Sequence, residues 1–337
     1  MIIEAIAPSR IDLAGGTLDI FPLYLFEEGG LTINLAISVQ SHVRLHTRQD
    51  QQLRIISECT GESVEAASVE ELPLGRELDL LARIVKFYKP QYGLDIYTRN
   101  DAPHGSGLGA SSSLLIALSG GLRSLNGAGA KVSDMDLVRY GADLEAQTIR
   151  IPTGKQDYYS AIYGGLNAIW FEVGGDRVEN LSHNTELLDE LEQRLLLFFT
   201  GEARFSGATN WDMLKMYIDQ DATAVQSMKA IKRTALAMRE AFISADLEAF
   251  ADLLNEEWEN RKRLADGVST DCIEELMDTA RANGALAARV CGAGGGGCIS
   301  VFCSPGTQQS VISALETMGA EHIPYTIDRE GLRVTQS

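Results

Sequence analysis

The sequence predicts an α+β chain of two domains, and three observations point there. Alternating apolar and polar residues at Leu94, Ile96 and Thr98 run into a glycine-rich stretch from Asp101 to Ala110. A helical apolar spacing then follows at Leu114, Leu115, Leu118, Leu122 and Leu125, so this region reads as strand, glycine loop, helix. The composition turns polar and acidic over residues 173–192. This places a boundary near 180, between an N-terminal domain at 1–180 and a C-terminal domain at 181–337. The second half then carries several helical patterns followed by strand, glycines, strand, helix and strand, the order of an α+β sandwich. A chain of 337 residues is long enough for two cores.

In order, residues 2–7 read as a strand ending at Pro8. Residues 31–39 and 41–48 read as two further strands, and 52–57 as a fourth. A helix is expected at 76–89, ahead of the strand and glycine loop. Gly127 to Ala130 separates the loop's helix from the next. That helix starts at Ser133, a good N-cap with Asp134 and Asp136 in its first turn, and stops before Pro152. Residues 166–172 and 195–200 read as strands. Helices are expected at 207–218, 221–242, 245–265 and 271–283. Strands at 285–291 and 298–302 flank Gly292 to Gly297, a helix covers 306–319, and a last strand lies near 322–328. Apolar strands on both sides of six residues that include five glycines argue against a flexible linker. Those glycines bring backbone against a neighbour or a ligand.

Lys and Arg total 29 against 47 Asp and Glu, a net charge of −18, which weighs against binding nucleic acid or an anionic membrane. No apolar run approaches the ~18 residues of a membrane span. The five cysteines include no C-x-x-C pair, and Cys291, Cys298 and Cys303 sit in apolar surroundings, as buried free thiols do. The start has neither the basic region nor the apolar core of a signal peptide, so the expected location is the cytoplasm.

The glycine loop is the chemical centre. A helix N-terminus offers unpaired N–H groups and a positive dipole end. Glycines let backbone wrap an anion and serines add hydroxyls, so Gly105 to Ser112 can cradle phosphate. A P-loop needs Lys after its last glycine, and Gly109 is followed by Ala110 and Ser111. Gly105-x-Gly107-x-x-Ala110 matches the dinucleotide fingerprint, but no acidic residue follows before Asp134. On the helix from Ser133, Glu145 falls on the apolar side with Val138 and Gly141. It must find either a buried Arg or a hard cation such as Mg²⁺. Asp157 either caps an element or orients a hydroxyl and takes its proton. Arg10, Asp12 and Asp19, interleaved with Gly15 and Gly16, form either an ion pair or a polyol site.

Three spaced segments together resemble the GHMP small-molecule kinases, the family of galactokinase, homoserine kinase, mevalonate kinase and phosphomevalonate kinase. They are Pro103-x-Gly-x-Gly-Leu-Gly-x-Ser-Ser, Ala7-Pro-Ser-Arg10 with Gly15-Gly16 and Asp19, and Gly292 to Gly297. The stretches around Arg10, Lys155-Gln156-Asp157 and Thr200 to Arg204 are most similar to the heptose kinase and fucokinase branch. The resemblance implies an N-terminal domain like domain 2 of ribosomal protein S5, a ferredoxin-like C-terminal domain, and a site between them. It implies that Pro103, Gly105, Ser106, Gly107, Leu108, Gly109, Ala110, Ser111 and Ser112 wrap ATP. Glu145 with Ser111 would hold Mg²⁺, although Ala110 stands where the family has a serine, which leaves Ser112 open for that role. Asp157 would be the catalytic carboxylate, with Arg10 lowering its pKa. Asp12, Gly15, Gly16, Asp19, Arg204, Gly294 and Gly295 would meet the substrate. The implied substrate is a sugar or sugar phosphate, a heptose or heptose phosphate first and a fucose-like sugar next. The alternatives are a mevalonate-type kinase or a nonenzymatic sugar- and ATP-sensing relative. Monomer or homodimer is left open.

Overall fold

A computed structural model describes residues 1–125, 133–203 and 206–337. Gly127 to Ala130, read as a separator, lies outside the described residues. The chain opens with β1 (Ile2–Ala14), the short α1 (Leu23–Phe26) and the long β2 (Gly30–Thr47). Then come β3 (Leu53–Ser57), β4 (Ser63–Ala66), α2 (Asp79–Tyr88), β5 (Leu94–Asn100) and α3 (Ala110–Leu125). Next are α4 (Asp134–Ile149), α5 (Gln156–Tyr163), β6 (Leu166–Glu172) and β7 (Gly175–Asn180). The second half runs α6 (Thr185–Arg194), β8 (Leu195–Phe199), α7 (Ser206–Ile218), α8 (Ala222–Ile243), α9 (Leu247–Arg261) and α10 (Asp271–Ala282). It continues with β9 (Ala285–Val290), β10 (Cys298–Cys303), α11 (Gln308–Thr317), β11 (Glu321–His322) and β12 (Arg333–Gln336).

Among the described residues, one sheet has eight strands in the order β12-β1-β2-β5-β3-β4, with β6 added on β2 and β7 on β6. The second sheet has four, in the order β11-β8-β10-β9. The expected α+β architecture is thus present. The strand predicted to end at Pro8 continues to Ala14. Pro8 faces Gln40 and Ser9 faces Ile37, so a bulge falls at the residue that lacks an N–H. β2 is one strand where two were expected, and the same irregularity falls between its halves, at residues 38 and 39. Its first half pairs with β6 and its second with β5.

The polar stretch at 173–192 contains β7 and all but the last two residues of α6. Asn184 caps α6 by accepting from Leu187 N–H, and Leu187, Leu188 and Leu191 are buried beneath it. The predicted last strand is cut to β11 because Pro324 cannot continue a ladder. Ile327 makes a lone bridge to Ile37. The end of the chain, assigned by sequence to the second half, returns to the first sheet, where β12 pairs with β1.

Two features position the site. The second half of β1 and the first half of β2 are buried on both faces. One apolar cluster joins Ile11, Leu13, Leu31 and Leu35 to Leu254, Phe250 and Phe302, so the two halves share a core. Gly292 and Gly297 also press against the glycine loop at 105–107. Cys298 N–H donates to Ser106 O at 2.8 Å, and a Cβ on Gly297, at φ +83°, would lie 2.6 Å from that same oxygen. The glycines after β9 therefore exist for a backbone neighbour.

Gly297→Ala should lower stability by about 1–3 kcal/mol through the left-handed backbone and this contact. Thermal denaturation checks it, and an unchanged Tm would contradict the role given to the contact.

Candidate active site

The loop between β5 and α3 turns through Gly105, Gly107 and Gly109, all at positive φ near +70°. It is held from several directions. Leu108 O accepts from Arg10 N–H at 3.0 Å, and Gly107 O accepts from Arg10 Nη1 at 2.7 Å. A Cβ on Gly109 would stand 2.8 Å from the Asp157 carboxylate, so the glycine permits the loop to cross the acid. Pro103, Gly105, Ser106, Gly107, Leu108, Gly109, Ala110, Ser111 and Ser112 all line one cleft of about 800 Å³. Ser111, at the start of α3, is exposed, while Ser112 is buried.

Helix α4 carries Glu145. Ser133 caps it as predicted, accepting from Asp136 N–H, and the buried face is Leu137, Val138, Gly141, Leu144 and Glu145. Glu145 Oε2 accepts from Ser112 Oγ at 3.1 Å, from Thr153 Oγ1 at 3.3 Å and from the Tyr158 hydroxyl; the Ser111 hydroxyl also bonds to the carboxyl group. These partners are all hydroxyls, and none is the buried Arg weighed as one alternative. Burial raises the Glu145 pKa above the ordinary carboxylate value, against the pull of the Tyr158 hydroxyl.

Asp157 sits in the first turn of α5, with 20% of its side chain open to the cleft. Its Oδ1 takes a 2.7 Å ion pair from Arg10 Nε. The expectation that Arg10 lowers the Asp157 pKa holds for that contact alone. Burial raises the pKa by more, and Asp12 adds to the rise, so the net shift is upward.

The acceptor side is more tightly built than its sequence suggests. Asp12 lines the cleft, but its Oδ2 is held by Arg289 Nη2 at 2.9 Å. Arg289 in turn pairs with Glu257 at 3.0 Å. Glu257 Oε1 accepts from Arg261 Nη2 at 2.6 Å, and Arg261 donates to Gly16 O at 2.9 Å and Thr17 Oγ1 at 3.3 Å. Asp12, Arg289, Glu257 and Arg261 are each at most 1% exposed. Sequence reading missed the last three, because single charges on helix and strand patterns carry no sign of this convergence.

Asp19 is buried in the cleft wall, its Oδ2 accepting from Gln156 N–H at 3.0 Å. Burial lifts its pKa to about 6; the Gln156 N–H holds it back, while Asp157 and Asp12 raise it further. Gly16 lines the cleft, but Gly15 turns at φ +81° against Leu31 and is not among the lining residues. Gly294 and Gly295 pack on Val268, so of the second glycine run only Gly292 and Ala293 reach the cleft. Arg204 lies outside the described residues. Gln156, Thr153 and Asn210 line the cleft without having been singled out in advance.

The donor set fits a magnesium-bound triphosphate. Among the described residues no group of three His, Cys, Asp or Glu could by itself hold a metal. One carboxylate and adjacent serine hydroxyls, beside a helix N-terminus, leave the remaining positions to phosphate oxygens and water, as Mg²⁺ prefers. Among the acids and arginines lining the cleft, Asp12, Asp19, Glu145 and Asp157 outnumber Arg10, Arg99 and Arg261 by one, which favours a cation.

The model for the GHMP kinases N terminal domain matches residues 79–165, and that for GHMP kinases C terminal matches 238–321. D-glycero-alpha-D-manno-heptose 7-phosphate kinase of Campylobacter jejuni is 31% identical over 97% of this chain and 96% of its own. This chain belongs to the GHMP kinase family. A bifunctional fucokinase/GDP-fucose pyrophosphorylase of Arabidopsis thaliana is 27% identical over 86% of this GHMP kinase, which covers 29% of that longer protein. The crystal structure of a D-glycero-D-manno-heptose 1-phosphate kinase from Bacteroides thetaiotaomicron superposes with a TM-score of 0.80 at 26% identity, covering 99% of both chains.

Two outcomes follow from this geometry. Glu257→Ala removes the carboxylate paired with buried Arg261 and leaves buried Arg289 with Asp12 alone, and should cost about 3–5 kcal/mol of stability in thermal or chemical denaturation. The second concerns Asp19. Its folded pKa of about 6 lies above the ordinary 3.8. Between those values the native state keeps a proton that the unfolded chain has lost, so this group's contribution to stability falls as pH rises through that window. The Tm of Asp19→Asn relative to wild type should therefore climb from about pH 4 to about pH 7. A difference independent of pH would contradict the assignment.

Proposed function

We infer that this GHMP kinase transfers the γ-phosphoryl group of ATP to a hydroxyl of a sugar or sugar phosphate, with heptose or heptose phosphate first and a fucose-like sugar next. The observation that carries the reading is the single cleft. In it the loop at 105–112, Glu145 with its serines, and Asp157 with Arg10 all meet the acidic wall of Asp12 and Asp19. The heptose kinases among its relatives support the choice of sugar.

The amides of Gly105 to Ser112 and the α3 N-terminus receive the triphosphate, where aligned N–H groups offset its charge. Glu145 with Ser111 or Ser112 would hold Mg²⁺, which, when bound, neutralises charge on the phosphates. Asp157 Oδ1 stays with Arg10, leaving Oδ2 for the acceptor hydroxyl. As the acceptor oxygen bonds to the γ-phosphorus and the bond to the ADP oxygen breaks, the hydroxyl proton passes to Asp157 Oδ2. A carboxyl raised by burial is a better proton acceptor than an exposed one. Arg10 fixes its orientation and ties it to the loop through Gly107 O. Asp19 accepts from substrate hydroxyls.

Asp157→Asn should reduce turnover by about 10²–10⁴-fold while ATP binding, measured by calorimetry, stays within a few-fold of wild type. A coupled ADP-release screen over heptoses, heptose phosphates, fucose, hexoses and mevalonate tests the substrate class. Turnover of mevalonate alone would overturn the sugar reading.

A further inference from the structure

Gln156 stands directly before Asp157, at the start of the helix that carries it. Its backbone is fixed on both sides: its N–H donates to Asp19 Oδ2, and its carbonyl accepts from Asn34 Nδ2 at 3.2 Å. Its side chain lines the cleft yet is only 5% exposed, and its Oε1 has no hydrogen-bond partner. A Cβ placed on Gly16 would come within 3.1 Å of Gln156 Nε2, 3.0 Å of Arg261 Nη2 and 2.5 Å of Asp12 Oδ2. The carboxamide therefore lies over the bare Gly16 backbone, at the meeting point of Asp12 and the Arg261 network. An unpaired buried polar atom is costly, and in the wall of a cleft a ligand can supply the missing partner.

We propose that Gln156 is a specificity-determining residue whose carboxamide binds a hydroxyl of the acceptor sugar next to the one that Asp157 activates. This rests on the sugar-kinase reading above. The neighbouring carboxylates can only accept from a sugar. A carboxamide rotates about its last torsion to present oxygen or nitrogen, so it also answers an oxygen that must receive a hydrogen bond. Its place one residue from Asp157 links recognition of that second hydroxyl to alignment of the first. A site built to pair with a hydroxyl discriminates strongly against an acceptor that lacks it.

The test is Gln156→Met, which keeps the length of the side chain and removes both polar atoms, with Gln156→Asn as a second variant that keeps the amide but draws it back. Both are assayed against wild type on whichever sugar or sugar phosphate the screen identifies, starting with D-glycero-α-D-manno-heptose 7-phosphate, and on its monodeoxy analogues. Gln156→Met should raise the acceptor KM about ten- to hundredfold and leave the ATP KM unchanged. Its Tm should not fall, because the unpaired atom is gone. Wild type should lose the same factor with one monodeoxy analogue, and the variant should lose nothing further with it. Gln156→Asn should fall between the two and carries the test if the Met variant does not fold. An unchanged acceptor KM, or acceptor and ATP KM rising together with a lowered Tm, overturns the role of Gln156 alone. Wild type inactive on every sugar and sugar phosphate sinks the parent reading and this one with it.

Discussion

The chain of alternating buried charges from Asp12 through Arg289 and Glu257 to Arg261 holds the site in one shape. It starts on β1 and crosses to β9 and α9. It returns to the turn at Gly16 and Thr17, so first-half and second-half elements are pinned by groups that cannot be left unpaired. Such a network adds little net stability over an apolar core, since desolvation consumes most of the Coulomb gain. What it supplies is geometry. An ion pair has a narrow range of good distances and angles, whereas an apolar contact tolerates sliding. The apolar cluster shared by both halves provides the cohesion, and the charges set the registry.

Against this balanced network, three other acids of the cleft stand out. Glu145 meets hydroxyls rather than a base. Asp157 has Arg10 on one oxygen and the cleft before the other. Asp19 has a backbone N–H. Burial raises all three above their ordinary values, because none is fully compensated by the protein. The uncompensated charge faces the cleft, where cations and hydroxyls can supply what the fold withholds. The two glycine segments serve the same end. Neither loop could approach the other, nor cross Asp157, if side chains stood at Gly107, Gly109 or Gly297.

Reading from sequence worked where one segment carries its own signal. The Ser133 cap, the buried face of α4 with Glu145 in it, and the strand–loop–helix around Gly105 to Ser112 all have local causes. So do the buried thiols at Cys291, Cys298 and Cys303. It failed where partners decide. Pro8 ends a strand in isolation and sits at a bulge in the sheet. β7 and β12 are too polar and short to declare themselves without the strands they pair with. Gly294 meets Val268, and Gly295 N–H donates to Val268 O, contacts that nothing near them in the chain announces.

The sequence alone therefore determined the α+β class, the glycine loop between a strand and a helix start, and the inward place of Glu145 on its helix. Those depend on periodicity, capping and residue chemistry within a few turns of chain. Only the tertiary structure decided that Asp12 is committed to Arg289, that Arg261 holds the Gly16 turn, and that Asp157 titrates upward despite Arg10. The reason is that long-range pairing and desolvation are properties of what surrounds a group. Neither is written in the residues adjacent to it.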